Sequence, residues 1–329
     1  MTDTILSASD LRKSFLNKLS EQKYPSEPKG LYEPVDYILQ IGGKRVRPVL
    51  ALLGAQLFGA DPEEAMPAAM AVEIFHNFTL LHDDIMDASP LRRGQATVHE
   101  KWDINTGILS GDLMLIKAYE SLARTPRSSA LPDMLQVFNQ VATGVCEGQQ
   151  YDVDFETRDQ VSIDEYLKMI ELKTAVLLGG ALQLGALAAG ADAKSAQELY
   201  EFGRLTGVAF QLQDDLLDIF GTEDQIGKAV GNDIVRNKKT FLYLKALESG
   251  SQETQAELRQ FYATTPADSA NKVARVTELM RQLSIPEAVA ELRDSMQRDA
   301  YAQLDATGAS AERQAPIREL TESLLKRQH

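Results

Sequence analysis

Apolar residues recur at i, i+3, i+4 and i+7 through almost the whole chain, and runs of β-branched residues alternating with polar ones are few. The first pattern lays apolar side chains along one face of a helix; the second is what a half-buried strand requires. The periodicity therefore predicts an all-α protein in which each helix buries one stripe. Turn and capping residues divide the pattern. Ser9 and Asp10 can cap a first helix through Leu11, Phe15 and Leu19, which Pro25, Pro28 and Gly30 end. A second helix is expected from about Tyr32 to Gly42-Gly43, and a third opens at Pro48 and carries Val49 to Phe58. Asp61 and Pro62 read as the cap and first turn of a long helix from about Glu63 to Met86, whose regular part Pro67 can delay and which Ser89-Pro90 terminates.

Further helices are expected over about 108–122, 130–155, 166–179, 193–220 and 240–248, with a capping box, S-I-D-E, at Ser162. The tail continues as amphipathic segments at about 252–262, 270–283, 286–304 and 316–326. At roughly 150 residues per domain, length alone suggests about two domains. No repeat of the solenoid kind is present, and the one break in pattern, near Ser249 to Thr254, is weak. A single domain over residues 1–329, with C-terminal helices at 250–329, is the expectation.

Charge narrows the function. Thirty-four basic against 48 acidic residues leave a formal charge of −14, which repels a nucleic-acid backbone and disfavours a polybasic membrane anchor. The apolar content of 44% is that of a packed protein rather than a disordered one. One cysteine, Cys146, cannot form an intrachain disulfide, and the first residues lack a basic region followed by an apolar one, so a reducing cytoplasm is expected. Cys146 itself and Trp102 read as core residues. The most apolar stretch, Ala175 to Ala191, contains Gln183 and reads as a buried core helix rather than a membrane span.

Against this background two acidic clusters stand out. The string D-D-I-M-D at 83–87 returns as D-D-L-L-D at 214–218. On a helix, residues i and i+4 lie one above the other, so Asp83 and Asp87 share a face, as do Asp214 and Asp218. Like charges at that spacing destabilise a bare helix by about 0.2–0.5 kcal/mol. One such cluster is ordinarily a solvated acidic patch. Here the neighbours are Phe78, Leu80, Leu81, Ile85 and Met86 in the first case, and Phe210, Leu212, Leu216, Leu217, Ile219 and Phe220 in the second. Carboxylates among apolar residues need pairing or a metal, and carboxylate oxygens alone suit Mg²⁺, which keeps waters and bridges to substrate phosphates. The first cluster also falls at a helix end, where the backbone favours a cation.

Cations gather near these acids. Lys44, Arg45 and Arg47 follow Gly42-Gly43; Arg92 and Arg93 follow the first cluster; Lys173 interrupts an apolar helix; Lys228, Lys238 and Lys239 follow the second cluster. Arginine grips phosphate oxygens as a fork and lysine as a point charge. Singly, each is an ordinary surface charge. Together with two aspartate clusters they point to a diphosphate held with metal ions. His76 lies seven residues before Asp83, on the same face; taken alone it reads as a core histidine.

These residues carry a family resemblance. G-G-K-R-V-R-P at 42–48 and H-N-F-T-L-L-H-D-D-I-M-D-A-S-P-L-R-R-G at 76–94 are followed in order by G-Q-Q-Y-D at 148–152 and K-T at 173–174. F-Q-L-Q-D-D-L-L-D at 210–218, G-K at 227–228 and N-K-K-T at 237–240 complete the series. The chain resembles the trans-isoprenyl diphosphate synthases, or polyprenyl synthetases, over about residues 35–245. The resemblance implies the isoprenoid synthase fold, a bundle of long antiparallel helices around a deep cavity, and a homodimer. It implies head-to-tail condensation of isopentenyl diphosphate with an allylic diphosphate, with three Mg²⁺ ions.

By position, the resemblance gives Asp83 and Asp87 as ligands of two ions and Asp214 as ligand of the third, with Asp84 and Asp218 acting indirectly or through water. Arg92, Lys173 and Lys228 would hold the allylic diphosphate, and Lys44, Arg47, His76 and Arg93 the isopentenyl diphosphate. Thr174 and Gln211 would flank the cation, Gln149 and Asp152 would sit beside the site, and Lys238 would lie near its mouth. Bulky residues upstream of the first aspartate limit product length in the family; here the positions are Phe75, Phe78 and Thr79. On a helix Phe78 lies about 7.5 Å and Phe75 about 12 Å below Asp83. The expected product is C15 to C20, with geranylgeranyl diphosphate preferred. A class I terpene cyclase shares the fold but has one aspartate-rich motif, and a non-catalytic subunit of a heteromeric synthase usually loses one; both motifs are intact here.

Overall fold

The computed structural model describes residues 5–222, 230–264 and 269–326. Among the described residues the fold is all-α as expected, apart from one two-stranded hairpin. The backbone groups into two compact units that interleave in sequence. The first contains the described residues up to Asn139, with Gly180–Leu199 and Thr307–Ile317; the second contains Gln140–Gly179, the described part of 200–306, and the described residues from Arg318 onward. Residues 249–254, where sequence patterning placed its weak break, lie wholly inside the second unit.

In the first unit, α1 (Ala8–Glu21) begins at Ser7, not Ser9: the Ser7 side chain accepts from the Asp10 N–H while the Asp10 carboxylate reaches back, a capping box. Helix α2 spans Lys29–Gln40, and α3 (Val46–Leu57) is buried at every position from Pro48 onward. A 3-10 turn at Pro62–Ala65 leads into α4 (Met66–Met86), so Pro67 falls in the first turn, where a missing N–H is harmless. After α4 comes the unexpected hairpin, β1 (Leu91–Arg92) and β2 (Gln95–Ala96), with Arg92 paired to Gln95. Its turn residues Arg93 and Gly94 have φ of 53° and 76°, the two left-handed positions of a tight hairpin turn. Helix α5 (Val98–Lys101) and α6 (Ile104–Leu122) follow, and α4 packs chiefly on α6 and α3. Trp102 is half-buried, edge-on to Tyr37 with centroids 5.3 Å apart.

In the second unit lie the later residues of α7 (Leu131–Thr157), then α8 (Ile163–Ile170), whose Ser162–Glu165 capping box is present as read. A π-helical turn, Glu171–Ala175, links α8 to α9 (Val176–Ala189) without a break. This continuous run, 163–189, is long and apolar enough to cross a membrane, but 83% of its most apolar window is buried inside the protein, as a core helix's would be. Next come α10 (Ala193–Phe220) and a short helix inside the expected loop, α11 (Asn232–Val235). Four helices, α12 (Phe241–Ser249), α13 (Gln252–Tyr262), α14 (Ser269–Gln282) and α15 (Ile285–Ala306), precede α16 (Ala311–Lys326). Leu258, Val276, Met280, Ile285 and Val289 from these helices share one core with Tyr166, Leu212 and Ile219. The C-terminal helices therefore build the floor under the second aspartate motif. Cys146 is exposed, not buried.

Candidate active site

The first aspartate motif ends α4. Asp83 is half-buried, and Asp87 is exposed and caps the helix, its N–H bonded to the Asp83 carbonyl at 2.8 Å. Asp84, one residue along, turns inward and is 2% exposed. There Arg92 holds it as a fork, Nε donating to Oδ1 at 3.0 Å and to Oδ2 at 3.2 Å, and Nη2 to Oδ1 at 2.5 Å. The hairpin is what turns Arg92 back onto the helix, and the Tyr37 hydroxyl braces it by donating to the Ala96 carbonyl at 2.7 Å.

The glycine pair builds the basic part of this unit. Gly42 and Gly43 have φ of 93° and 127°, conformations closed to other residues, and a Cβ at Gly43 would stand 2.6 Å from the Arg93 guanidinium. Arg93 docks on the turn by donating to the Gly42 carbonyl. Arg12, from α1, donates to the Gly43 and Lys44 carbonyls at 3.3 and 3.2 Å. Arg45 is left-handed and buried; it pairs with Glu73 and donates to the Leu39 carbonyl at 2.5 Å. Asn77 completes this knot, donating to Glu73 Oε1 at 2.9 Å.

Arg47 Nη1 meets His76 Nε2 at 3.2 Å. Guanidinium can only donate, so this nitrogen must accept and His76 is neutral. Burial, followed by the fields of Arg47, Arg93, Arg92 and Arg45, holds its pKa well below the ordinary histidine value. Burial likewise pulls Arg47 down to about 10, with Glu73 opposing and Arg93 adding to the fall. The cluster is a cation-rich patch in a chain of net charge −14. Lys44 is exposed beside it.

The second unit holds the other motif. Lys173 and Thr174 both lie in the π-helical turn, where one extra residue re-aims side chains. A Cβ on Gly148 would stand 2.2 Å from the Lys173 backbone nitrogen, so α7 and this turn touch backbone to backbone. Lys173 Nζ pairs with Asp152 at 2.5 Å. Gln149 is half-buried and its Oε1 is enclosed without a hydrogen bond among the described residues. On α10, Asp214 is half-buried, while Asp215 and Asp218 are each 2% exposed. Asp218 accepts from the Asp233 N–H at 2.8 Å. Asp215 accepts from the Tyr166 hydroxyl and from Gln211 Nε2 at 3.0 Å, and Thr174 donates to Gln211 Oε1 at 3.5 Å. Burial pushes Asp215 up to about 7, against the lowering influence of Lys238 and these donors. Lys238 is kept protonated: burial opposes its charge, but Asp233, Asp152, Asp215 and Asp218 outweigh it.

Within the first unit the structure brings together Arg47, His76, Arg92 and Arg93; within the second it brings together Asp152 with Lys173, and Thr174 with Gln211. Lys228 lies outside the described residues. Phe75 is 1% exposed and packs on Phe138 and Phe78, at 5.4 and 5.6 Å between centroids, whereas Phe78 and Thr79 are half-buried. Sequence reasoning gave no role to Arg12, Glu73, Asn77 or Tyr166. Glu73 had a signal: a lone acid in the apolar run A-M-A-V-E-I-F at 69–75.

Among the described residues no three His, Cys, Asp or Glu side chains gather to hold an ion alone. The donor chemistry nevertheless fits Mg²⁺: Asp83 and Asp87 offer only hard oxygens at a helix C-terminus, and Mg²⁺ takes one or two carboxylates and completes its shell with water and substrate phosphate. Asp84 and Asp218, already engaged, fit as supports rather than ligands.

Comparison with known proteins gives the family. A family model described as polyprenyl synthetase matches residues 28–280. The geranylgeranyl diphosphate synthase of Methanosarcina mazei is 41% identical over 241 residues, 73% of this chain and 74% of that protein. A crystal structure of a geranylgeranyl pyrophosphate synthase has a TM-score of 0.93 at 45% identity, covering 98% of this chain and 100% of that one. A second, from Corynebacterium glutamicum and complexed with isoprenyl diphosphate and magnesium, has a TM-score of 0.83 at 27% identity, with 98% of each chain covered. The family match runs through both units and all the motifs from Gly42 to Thr240, and the chain belongs to the polyprenyl synthetase family.

Proposed function

We propose that this protein is a short-chain trans-prenyltransferase that condenses isopentenyl diphosphate with an allylic diphosphate and releases chiefly geranylgeranyl diphosphate. The observation that carries the reading is the arginine cluster around neutral His76: Arg45, Arg47, Arg92 and Arg93 act on it together, in an otherwise acidic chain. Such a cluster suits a multiply charged anion. Lys44, Arg47, His76 and Arg93 would take isopentenyl diphosphate, and His76, neutral, can donate from Nδ1. Arg92, Lys173 and Lys228 would take the allylic diphosphate.

The C1–O bond of the allylic diphosphate breaks with both electrons going to oxygen. The C3–C4 π pair of isopentenyl diphosphate then bonds to C1 through C4, leaving a cation at C3. Loss of a C2 proton to the departed diphosphate restores a double bond. Asp83, Asp87 and Asp214 would hold Mg²⁺, expected as three ions with substrate bound, and the metal would supply neutralisation of the charge that develops on the leaving group. Lysine and arginine add fixed charge there, and Thr174 and Gln211 offer oxygens to the allylic cation. The product preference is supported by the names of the relatives, geranylgeranyl synthases at 41% and 45% identity. Of the floor candidates Phe78 is the stronger, because Phe75 is committed to core packing.

A second copy would cover the apolar face of α6, where Leu109, Ile116, Ile104 and Ile108 are 60, 56, 55 and 42% exposed. A homodimer and a cytoplasmic location complete the proposal. Labelled isopentenyl diphosphate supplied with C5, C10 or C15 primers tests it: Mg²⁺-dependent incorporation is expected, with C20 the main product and longer products from Phe78→Ala. Absence of incorporation with every primer would overturn the proposal.

A further inference from the structure

We infer that Tyr166 and Asp215 are positioning residues that lock the Gln211 amide with its carbonyl oxygen toward Thr174 and its NH₂ group turned away. The inference rests on the prenyltransferase reading for its consequence, but its geometry stands alone within the second unit. Asp215 follows Asp214 on α10, yet it is buried while Asp214 is half-exposed. Its Oδ2 accepts from Tyr166, itself 1% exposed, and its Oδ1 accepts from Gln211 Nε2 at 3.0 Å, one helical turn away. With both of its oxygens accepting in this arrangement, Asp215 acts as a carboxylate, which cannot donate. Gln211 must therefore present its NH₂ to Asp215, which leaves Oε1 on the opposite side, where Thr174 donates at 3.5 Å. Lys238 and Asp233 are charged groups that also act on Asp215.

The orientation decides chemistry. A carbonyl oxygen facing an allylic cation stabilises it, whereas an NH₂ in the same place would oppose it. Amide flips are nearly isosteric, so something must specify one; the hydroxyl–carboxylate–amide chain does so. In Asp215→Asn the new side chain carries its own NH₂. With its one oxygen taken by the Tyr166 hydroxyl, that NH₂ faces Gln211 and turns its amide over. Adding Gln211→Glu restores the order: the amide introduced at position 215 donates to one oxygen of the carboxylate introduced at position 211, and the other oxygen again faces Thr174.

Turnover at pH 8 with saturating Mg²⁺ tests this. Asp215→Asn alone is expected to lower kcat by about 30- to 100-fold, with KM for both substrates within about threefold of the wild type. The double variant Asp215→Asn/Gln211→Glu should recover kcat to within about fivefold of wild type, and Gln211→Glu alone, which sets two carboxylates together, should not. Tyr166→Phe removes one oxygen and should lower kcat by about fivefold, which keeps the test open should Asp215→Asn not fold. Multiplicative losses in the double variant, a rise in KM in place of the fall in kcat, or an unchanged Tyr166→Phe would each overturn the inference. A wild type without condensation activity would instead remove the functional reading, a result seen before any variant is made.

Discussion

Gly148→Ala puts the backbone contact beneath Lys173 to the test. The added Cβ would lie 2.2 Å from Lys173 N, 2.6 Å from its Cα and 2.7 Å from the Leu172 carbonyl carbon. All three are backbone atoms of the π-helical turn, so no side chain can swing aside. Relief requires α7 and the turn to part by about 1 Å, an overpacking change of about 1–3 kcal/mol, here at the upper end. Alanine recovers up to about 1 kcal/mol of helix propensity over glycine. The net expectation is a loss of about 2 kcal/mol in urea unfolding. The same separation lengthens the Lys173–Asp152 pair, now 2.5 Å, and moves Thr174 with it. A shift of that size at groups proposed to act in catalysis should cost about 100-fold in kcat. Urea titration and single-turnover incorporation of labelled isopentenyl diphosphate measure the two effects. An alanine variant as stable as the wild type, or more so, with unchanged kcat would refute the close approach and the role of glycine in it.

Two further predictions concern the first unit. Asp83→Asn should abolish Mg²⁺-dependent turnover with little change in stability, whereas Asp84→Asn breaks the buried fork to Arg92 and should cost about 2–3 kcal/mol in urea unfolding, below the full range for a buried pair because the Arg92 side chain is 29% exposed. Equal stability losses in the two variants would contradict this division. For His76, burial and four arginines keep the folded-state pKa below 6.5, so under acid conditions the unfolded chain binds a proton that the native one refuses. Stability should therefore fall as pH drops below about 6.5, and His76→Gln should flatten that part of a urea-midpoint profile against pH.

The helices and their order were readable because periodicity and breakers are local signals, and the Ser162 capping box appears where its residues stand. Boundaries slipped where the decisive interaction is not local. The third helix starts at Val46 rather than Pro48 because Arg45 takes a left-handed conformation, fixed by Glu73 and the Leu39 carbonyl. The hairpin went unread because two-residue strands carry no alternation. Its only cue was Arg93-Gly94, and its reason to exist is a carboxylate eight residues upstream. The aspartates and the basic residues were readable as types and spacings. Which aspartate faces inward, and that Tyr166 meets one of them, depended on contacts across 49 residues of chain.

Helix geometry accounts for the doubled aspartate that opens each motif. Consecutive residues stand about 100° apart around a helix, so a first and fifth residue can share a face only if the second leaves it. Asp84 and Asp215 are those second residues, and each is 2% exposed; in the second motif the fifth residue, Asp218, is also 2% exposed, so there only Asp214 keeps an outward place. A carboxylate turned inward without donors would be costly, and in both units a neighbouring element supplies them: the hairpin through Arg92, and α8 through Tyr166, with Gln211 one turn back on α10. The inward acid then has work distinct from metal binding. In the first unit it pins a cation proposed to meet a diphosphate, and in the second an amide proposed to meet a carbocation. Asparagine at either position would keep the shape but bring donors where only acceptors fit. The pair of adjacent acids is thus one device used twice: an outward member proposed to meet the ion, and an inward one that holds the neighbouring cation or amide in place.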